Sequence, residues 1–231
     1  SFPGSIKGSL ASRVAKTFFD EVVLRCDLGI DLHTASIHKS NLPQVRTNID
    51  NEYTFKLAKA FGAPVVLHSE LRDGSLRGTA QDSGVPILLY EAGEALRFDE
   101  TSIRIGVTGI INVLREINML PTVSRKILKT PIITRNSNWI RTNESGMLRT
   151  IKALGDIVKK DEIIAFIDEP LGDDIYEIRA TFDGVIIGKS EIPLVQEGDA
   201  IFHIAKLKNL ESAESKLEYF NDSAMDESEF H

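Results

Sequence analysis

From Ser9 to Cys26 the apolar residues Leu10, Val14, Phe18 and Val22 return at every fourth position, and Ala11, Ala15 and Phe19 widen the stripe. That period predicts an amphipathic helix with this stripe on a core, and Ser9 is placed to cap its free N–H groups. Two short apolar runs, Gly29–Ala35 and Leu88–Gly93, follow a different rule. Each is too short for a helix and reads as a buried strand. Ala63–His68 reads as a further strand and Glu52–Phe61 as a helix, and Ser75 is placed to open another helix. Between Thr101 and Leu120, Ile103, Val107, Ile110, Ile111, Leu114 and Ile117 again return at helical spacing. The stretch Thr34–Asn51 shows neither period and reads as a long polar loop after a strand end, a common place for binding groups. Helices alternating with strands predict a parallel α/β layer structure.

The pattern changes at Pro121. Residues 121–137 read as a linker with Pro, Lys, Arg and Thr, and beyond it only short β-type runs are found. These are 139–142, 146–151, 162–167, 175–180, 184–187 and 200–204, with Gly, Asp and Lys at the turns. The organisation expected is an α/β domain over 1–125, a small all-β domain over 126–210 and an acidic tail over 211–231. Leu154–Ile167 and Pro193–Ile204 form a weak internal repeat. The paired hairpins resemble the sandwich of biotinyl and lipoyl carrier domains, but the turn carrying their modified lysine is absent, which favours a structural role. Of that tail, the part beyond about Tyr219 is expected to be a solvated end.

Composition narrows the classes without choosing one. With 42% hydrophobic and 26% charged residues, the chain has the balance of an ordinary globular protein. Its net charge of −7 speaks against nucleic acid or an anionic membrane as partner. No apolar run approaches the roughly 20 residues needed to span a bilayer. The single cysteine, Cys26, can form no intrachain disulfide and reads as a small buried apolar residue. A reducing, cytoplasmic setting is expected.

Three residues at the ends of the first and third strands can bind a metal or move a proton: Asp31, His33 and Glu91. Ligands in open parallel sheets sit beyond the carboxyl ends of strands, so the three are candidates for one cleft. His33 is either a hydrogen-bonded core histidine or a metal ligand steered by Asp31, which alternation places on the same side of the strand. Glu91 either caps a loop or acts as general base toward an activated water. Arg46 and Arg77 are either solvated surface groups or a fork for a substrate carboxylate. Catalytic zinc needs three protein ligands. His38, His68 and His203 stand at no ligand spacing, and His203 falls in the second expected domain.

Taken together, Phe2-Pro3-Gly4, the following helix, Asp31-Leu-His33-Thr, Asn41-Leu-Pro-Gln-Val-Arg46, Gly74-Ser-Leu-Arg77 and Glu91-Ala-Gly-Glu-Ala-Leu-Arg97 resemble the succinylglutamate desuccinylase/aspartoacylase family. The second half, with Pro193-Leu-Val and Gly198-Asp-Ala, is similar to that family's C-terminal domain. The resemblance implies a carboxypeptidase-like α/β fold, with a mixed or parallel sheet, flanking helices and a small barrel-sandwich-like all-β domain. It implies a zinc amidohydrolase that removes an acyl group from a small N-acyl amino acid. His33 would be a zinc ligand with Asp31 behind it, and Glu91 the general base. Asn41, Arg46 and Arg77 would line the substrate pocket. The family carries its other zinc ligands in a His-x-x-Glu motif, and a substrate-binding Asn-Arg pair, ahead of Phe-Pro-Gly. These residues alone are therefore expected to bind zinc poorly and to be inactive. A non-catalytic binding module and a peptide carboxypeptidase are the alternatives, and the β domain leaves room for a homo-oligomer.

Overall fold

The computed structural model describes residues 1–70, 73–122, 130–172 and 174–224. Helix α1 (Leu10–Glu21) and a single 3-10 turn lead into strand β1 (Gly29–His33). Then come β2 (Lys39–Thr47), α2 (Glu52–Phe61), β3 (Val65–His68), α3 (Leu76–Asp82), β4 (Ile87–Glu94) and α4 (Glu100–Glu116). Short polar side chains open each of these helices. Ser9, Asn51, Ser75 and Asp99 accept from the N–H groups of Ser12, Thr54, Gly78 and Ser102. Gly62, at a φ of 84°, closes α2 in the left-handed conformation that glycine tolerates best.

The sheet is mixed. β1 runs parallel to β4, and β3 runs parallel to β2, but β2 and β4 are antiparallel. Pleating sends Val45, Leu88, Tyr90 and Ala92 to one face, where they pack with Leu57, Phe61 and Val113 from α2 and α4. Near the start of β4 the opposite face is covered by α1 and α3, through Phe19, Val23, Ala80 and Ile87.

Three expectations change here. Residues 39–47 form a nine-residue strand, and its lack of alternation has a cause. Its register breaks between Asn41 and Gln44, around a proline that has no N–H to offer a ladder. Only one side of the stripe predicted for α1 meets the core: Leu10 is 71% and Val14 59% exposed, whereas Ala15 and Phe19 turn inward. Cys26 is exposed, its thiol directed at the Val22 carbonyl.

The remaining strands are β5 (Ile132–Thr134), β6 (Ser137–Arg141), β7 (Gly146–Thr150), β8 (Ile157–Val158), β9 (Ile163–Asp168), β10 (Ile175–Arg179), β11 (Gly184–Ser190), β12 (Leu194–Val195) and β13 (Ala200–Lys206). β5 joins the edge of the first sheet beside β3, so the expected linker ends in a strand; residues 123–129 of that linker lie outside the described residues. β11 pairs with the first half of β2 and carries β13 and β6 with it, giving one nine-stranded sheet. A second sheet has the order β10-β9-β7-β12. The internal repeat appears as an exchange: β8 and β13 lie in the large sheet, β9 and β12 in the small one. Ile164, Ile167, Ile186, Ile201 and Ile204 fill the core between the two sheets.

The chain after Lys206 is also not a plain tail. Helix α5 (Leu210–Ala224) buries Ala213 and Leu217 against Val65, Ile132 and Ile187. Among the described residues no helix is long and apolar enough to cross a membrane.

Candidate functional site

Parallel pairing of β1 with β4 sets Asp31 opposite Leu89 and His33 opposite Glu91. On the other side of β4, Gln44 stands opposite Glu91 and Arg46 opposite Leu89. Register partners share a face of a pleated sheet. Asp31, His33, Glu91, Gln44 and Arg46 are therefore gathered on the face away from Tyr90 and α4. β1 ends at His33, but β4 continues to Glu94, so Glu91 lies within a strand and its backbone is fixed by ladders on both sides.

Two charged contacts organise the group. Asp31 Oδ2 lies 3.0 Å from His33 Nε2, which orients the ring. Arg46 Nε lies 2.7 Å from Glu91 Oε2, with both side chains mostly buried. Arg77, at the start of α3, donates to the Arg46 carbonyl at 3.2 Å and to Ser69 Oγ at 2.9 Å. Its guanidinium ties the end of β2 to the segment after β3, and so fixes the backbone from which Arg46 projects. The Ser75 cap holds Arg77 in the first turn of α3.

Asn41 sits further along β2, opposite Gly93 on one side and Gly188 of β11 on the other, and is 5% exposed. It borders a cleft of about 380 Å³ with Pro43, Glu94, Arg97 and Leu154. A second cleft of about 380 Å³ opens beyond the end of β1 on the α4 side of the sheet, away from Glu91, lined by Leu32, His33, Tyr90, Ala92, Ile103 and Val107. It is mostly apolar.

The arrangement brings together a half-exposed imidazole steered by a carboxylate and a second carboxylate steered by a guanidinium. The first pair suits a metal ligand with its orienting partner, and the second suits a base held in one orientation. Among the described residues no group of three or more His, Cys, Asp or Glu side chains is close enough to hold a metal ion. His33 with Asp31 thus fits one ligand of such a centre.

The same face carries residues that motif reading passes over. Gln44 is fully buried; its amide donates to the Ile187 carbonyl at 3.3 Å, and its Oε1 has no partner among the described residues. His203 of β13 lies in the same sheet as β2, and the positive charge of Arg46 reaches it. The strand run Ala200-Ile-Phe-His-Ile carried the available signal: a polar residue inside an otherwise apolar strand.

Residues 1–117 match the model of the succinylglutamate desuccinylase/aspartoacylase catalytic domain. The N-alpha-acetyl-L-2,4-diaminobutyric acid deacetylase of Halomonas elongata is 27% identical over 222 residues, covering 90% of this chain and 64% of the relative. The chain thus spans less than two thirds of that relative's length. The apo structure of the ectoine utilization protein EutE (DoeB) from Ruegeria pomeroyi superposes with a TM-score of 0.79 at 22% identity, covering 89% of this chain and 68% of that one. The succinylglutamate desuccinylase/aspartoacylase of Rhodobacter sphaeroides gives a TM-score of 0.77 at 21% identity, covering 90% and 67%. At these identities the structural likeness speaks for the fold.

Proposed function

Because this chain belongs to the succinylglutamate desuccinylase/aspartoacylase family, we propose that it carries part of the active site of a zinc-dependent amidohydrolase acting on a small N-acyl amino acid. The observation that supports this reading best is the register pairing of His33 with Glu91, each held by a charged neighbour. The deacetylase relative adds weight to an acylated amino acid as substrate. Within the same reading, residues 1–125 form the hydrolase part and residues 126–210 an all-β, barrel-sandwich-like unit, followed by an acidic stretch over 211–231.

His33, oriented by Asp31, would be one ligand; a catalytic centre calls for three from protein. Zinc, when bound, supplies a water of lowered pKa and polarises the acyl carbonyl. Glu91 would serve as general base, taking a proton from the attacking water and passing it to the departing amine. Arg46, next to Glu91, is placed to receive the substrate carboxylate, and Arg77 keeps its backbone in place. Asn41 offers an amide to the polar end of the substrate.

The test is made on the complete protein with zinc content and hydrolysis of a panel of N-acetyl amino acids measured together. Glu91→Gln should lose at least about a hundredfold in turnover while zinc content stays as in the wild type. His33→Ala should lose the metal. Full turnover in Glu91→Gln, or unchanged zinc in His33→Ala, overturns the corresponding assignment. A binding module is the second reading, favoured by the Arg46–Glu91 pair that already engages the base. It predicts saturable binding of the same compounds with no hydrolysis.

A further inference from the structure

Gly188 of β11 lies on the face that carries Glu91. Gly93 pairs with Asn41, Asn41 with Gly188, and Gly188 with His203. Its φ lies outside the left-handed region, so the backbone itself does not call for glycine. A glycine inside a strand forgoes side-chain packing and loses more conformational entropy on folding than other residues. The reason for it here is space. A Cβ on Gly188 would lie 2.8 Å from Asn41 Oδ1 and 3.1 Å from His203 Cβ. The two side chains therefore close over the glycine, one from each neighbouring strand.

These two walls differ in freedom. The His203 ring stacks on Trp139, with centroids 4.8 Å apart and planes 10° from parallel, and its Nε2 lies 2.9 Å from Ser137 Oγ. Trp139 is held in turn by Lys39, whose Nζ lies 4.6 Å from the ring centroid. Burial first, and then the positive charges of Arg46 and Lys39, push the His203 pKa down to about 4, so it packs as a neutral ring. Asn41 is 5% exposed, yet no hydrogen bond to a described residue orients its carboxamide. Packing over Gly188 and against His203 sets its direction, and its donors and acceptor stay free for a ligand. The backbone is irregular on both strands at this contact. β2 breaks register between Asn41 and Gln44, and β11 between Ile186 and Gly188. Bulges of this kind re-aim side chains. The one in β11 is gripped from the site, because Gln44, the register partner of Glu91, donates to the Ile187 carbonyl at 3.3 Å.

We propose that Gly188 is a positioning residue for substrate binding: its bare Cα seats the Asn41 carboxamide against His203 and so sets the direction in which Asn41 meets the polar end of the substrate. The second half of the chain thus shapes recognition through β11 and β13. The part concerning substrate rests on the reading of Asn41 as a binding residue under the proposed function; the part concerning geometry does not. An alanine at 188 would bring its methyl to 2.8 Å from Asn41 Oδ1, closer than non-bonded atoms comfortably approach. The carboxamide is the group that gives way, because Trp139 and Ser137 hold the His203 ring. Gly188→Ala is therefore a substitution that turns Asn41 and leaves the strand in place.

The experiment is made on the complete protein, as wild type, Gly188→Ala, Asn41→Ala and the double variant, with two readouts. The first is the side-chain amide NMR spectrum of protein labelled with ¹⁵N-asparagine, in which the Asn41 pair is the one lost in Asn41→Ala. Gly188→Ala should shift that pair and leave those of the other asparagines in place. The second is hydrolysis of the N-acetyl amino acid that the wild type turns over fastest. Gly188→Ala should raise KM about tenfold, the loss of one hydrogen bond, and leave kcat within about twofold. Asn41→Ala should do the same, and Gly188→Ala should add nothing in the Asn41→Ala background. A merely structural role for Gly188 would not be cancelled in this way. An unmoved Asn41 pair overturns the proposal, and so does a rise in KM that persists in the Asn41→Ala background. A shifted pair with unchanged KM overturns its substrate part. If Gly188→Ala does not fold, His203→Ala removes the opposite wall and should shift the same pair; no shift overturns the proposal. If the pair shifts and the wild type hydrolyses no N-acetyl amino acid, the enzyme reading fails and the seating of Asn41 by Gly188 stands. If hydrolysis is found and the pair does not move, the reverse holds.

Discussion

A neutral histidine in the sheet has a consequence for stability. In the unfolded chain the imidazole protonates near pH 6.5, and in the folded protein near 4. Between those values the unfolded state binds more protons, so stability falls as pH drops through that window. His203's contribution is complete above pH 6.5 and lost on the way to pH 4. At 1.36 kcal/mol per unit the effect is at most about 3 kcal/mol. His203→Gln, which cannot titrate, should flatten the acid side of the curve. Urea midpoints of both proteins between pH 4 and 7 measure this. A difference between them that does not change with pH would show that His203 is not the titrating group. The residues of the candidate site were legible in unequal measure. Asp31, His33 and Glu91 stood out because an ionisable residue interrupts an apolar run. Arg77 was visible, but its part in bracing β2 was not, since its partners are a main-chain carbonyl and a serine far away in sequence. His203 and Gln44 were missed because their relation to Glu91 exists only across strands.

At the level of elements, α2 and α4 meet through glycine. A Cβ on Gly109 would lie 2.2 Å from Phe61 Cε1, and Phe61 is itself fully buried and 5.0 Å from the Tyr90 ring. Gly106 is less crowded, with Tyr90 Cε1 at 3.0 Å. Alanine at either position gains up to about 1 kcal/mol of helix propensity, while overpacking costs about 1–3 kcal/mol. The cost should win at Gly109, for a net loss of roughly 1–2 kcal/mol, and nearly cancel at Gly106. Equal denaturation midpoints for Gly109→Ala and Gly106→Ala would refute this packing account. The helices with a polar cap and a regular apolar period could be read from the chain, as could most strands of the second half. β2 could not, because its site face is polar and its register breaks at a proline. For α1 the period predicts the helix but draws its core face too wide: two adjacent stripes are apolar, and contact with α3 and Ile87 decides that the Ala15 and Phe19 side turns inward. α5 was overlooked because its many acids mask Ala213 and Leu217, the two residues that anchor it.

For the whole molecule, the sequence suggests two parts joined by a linker, but hydrogen bonds tie them into one sheet. β11 pairs with β2 at Lys39, Ser40 and Asn41, β5 pairs with β3, and α5 returns to cover Val65. Three separate segments from beyond residue 130 therefore complete the first half, and its polar face extends into the second. Such coupling predicts one cooperative transition on unfolding. The chain provides suitable probes: its single tryptophan, Trp139, lies in β6, whereas four of the five α-helices among the described residues belong to residues 1–117. Tryptophan fluorescence and helical circular dichroism, followed together through a urea titration, should give coincident midpoints and equal slopes. If the fluorescence transition separates from the helical one, the two halves unfold independently, and the pairing of β11 with β2 is too weak to couple them. In that case the face shared by Glu91, Asn41 and His203 would exist only while both halves are folded.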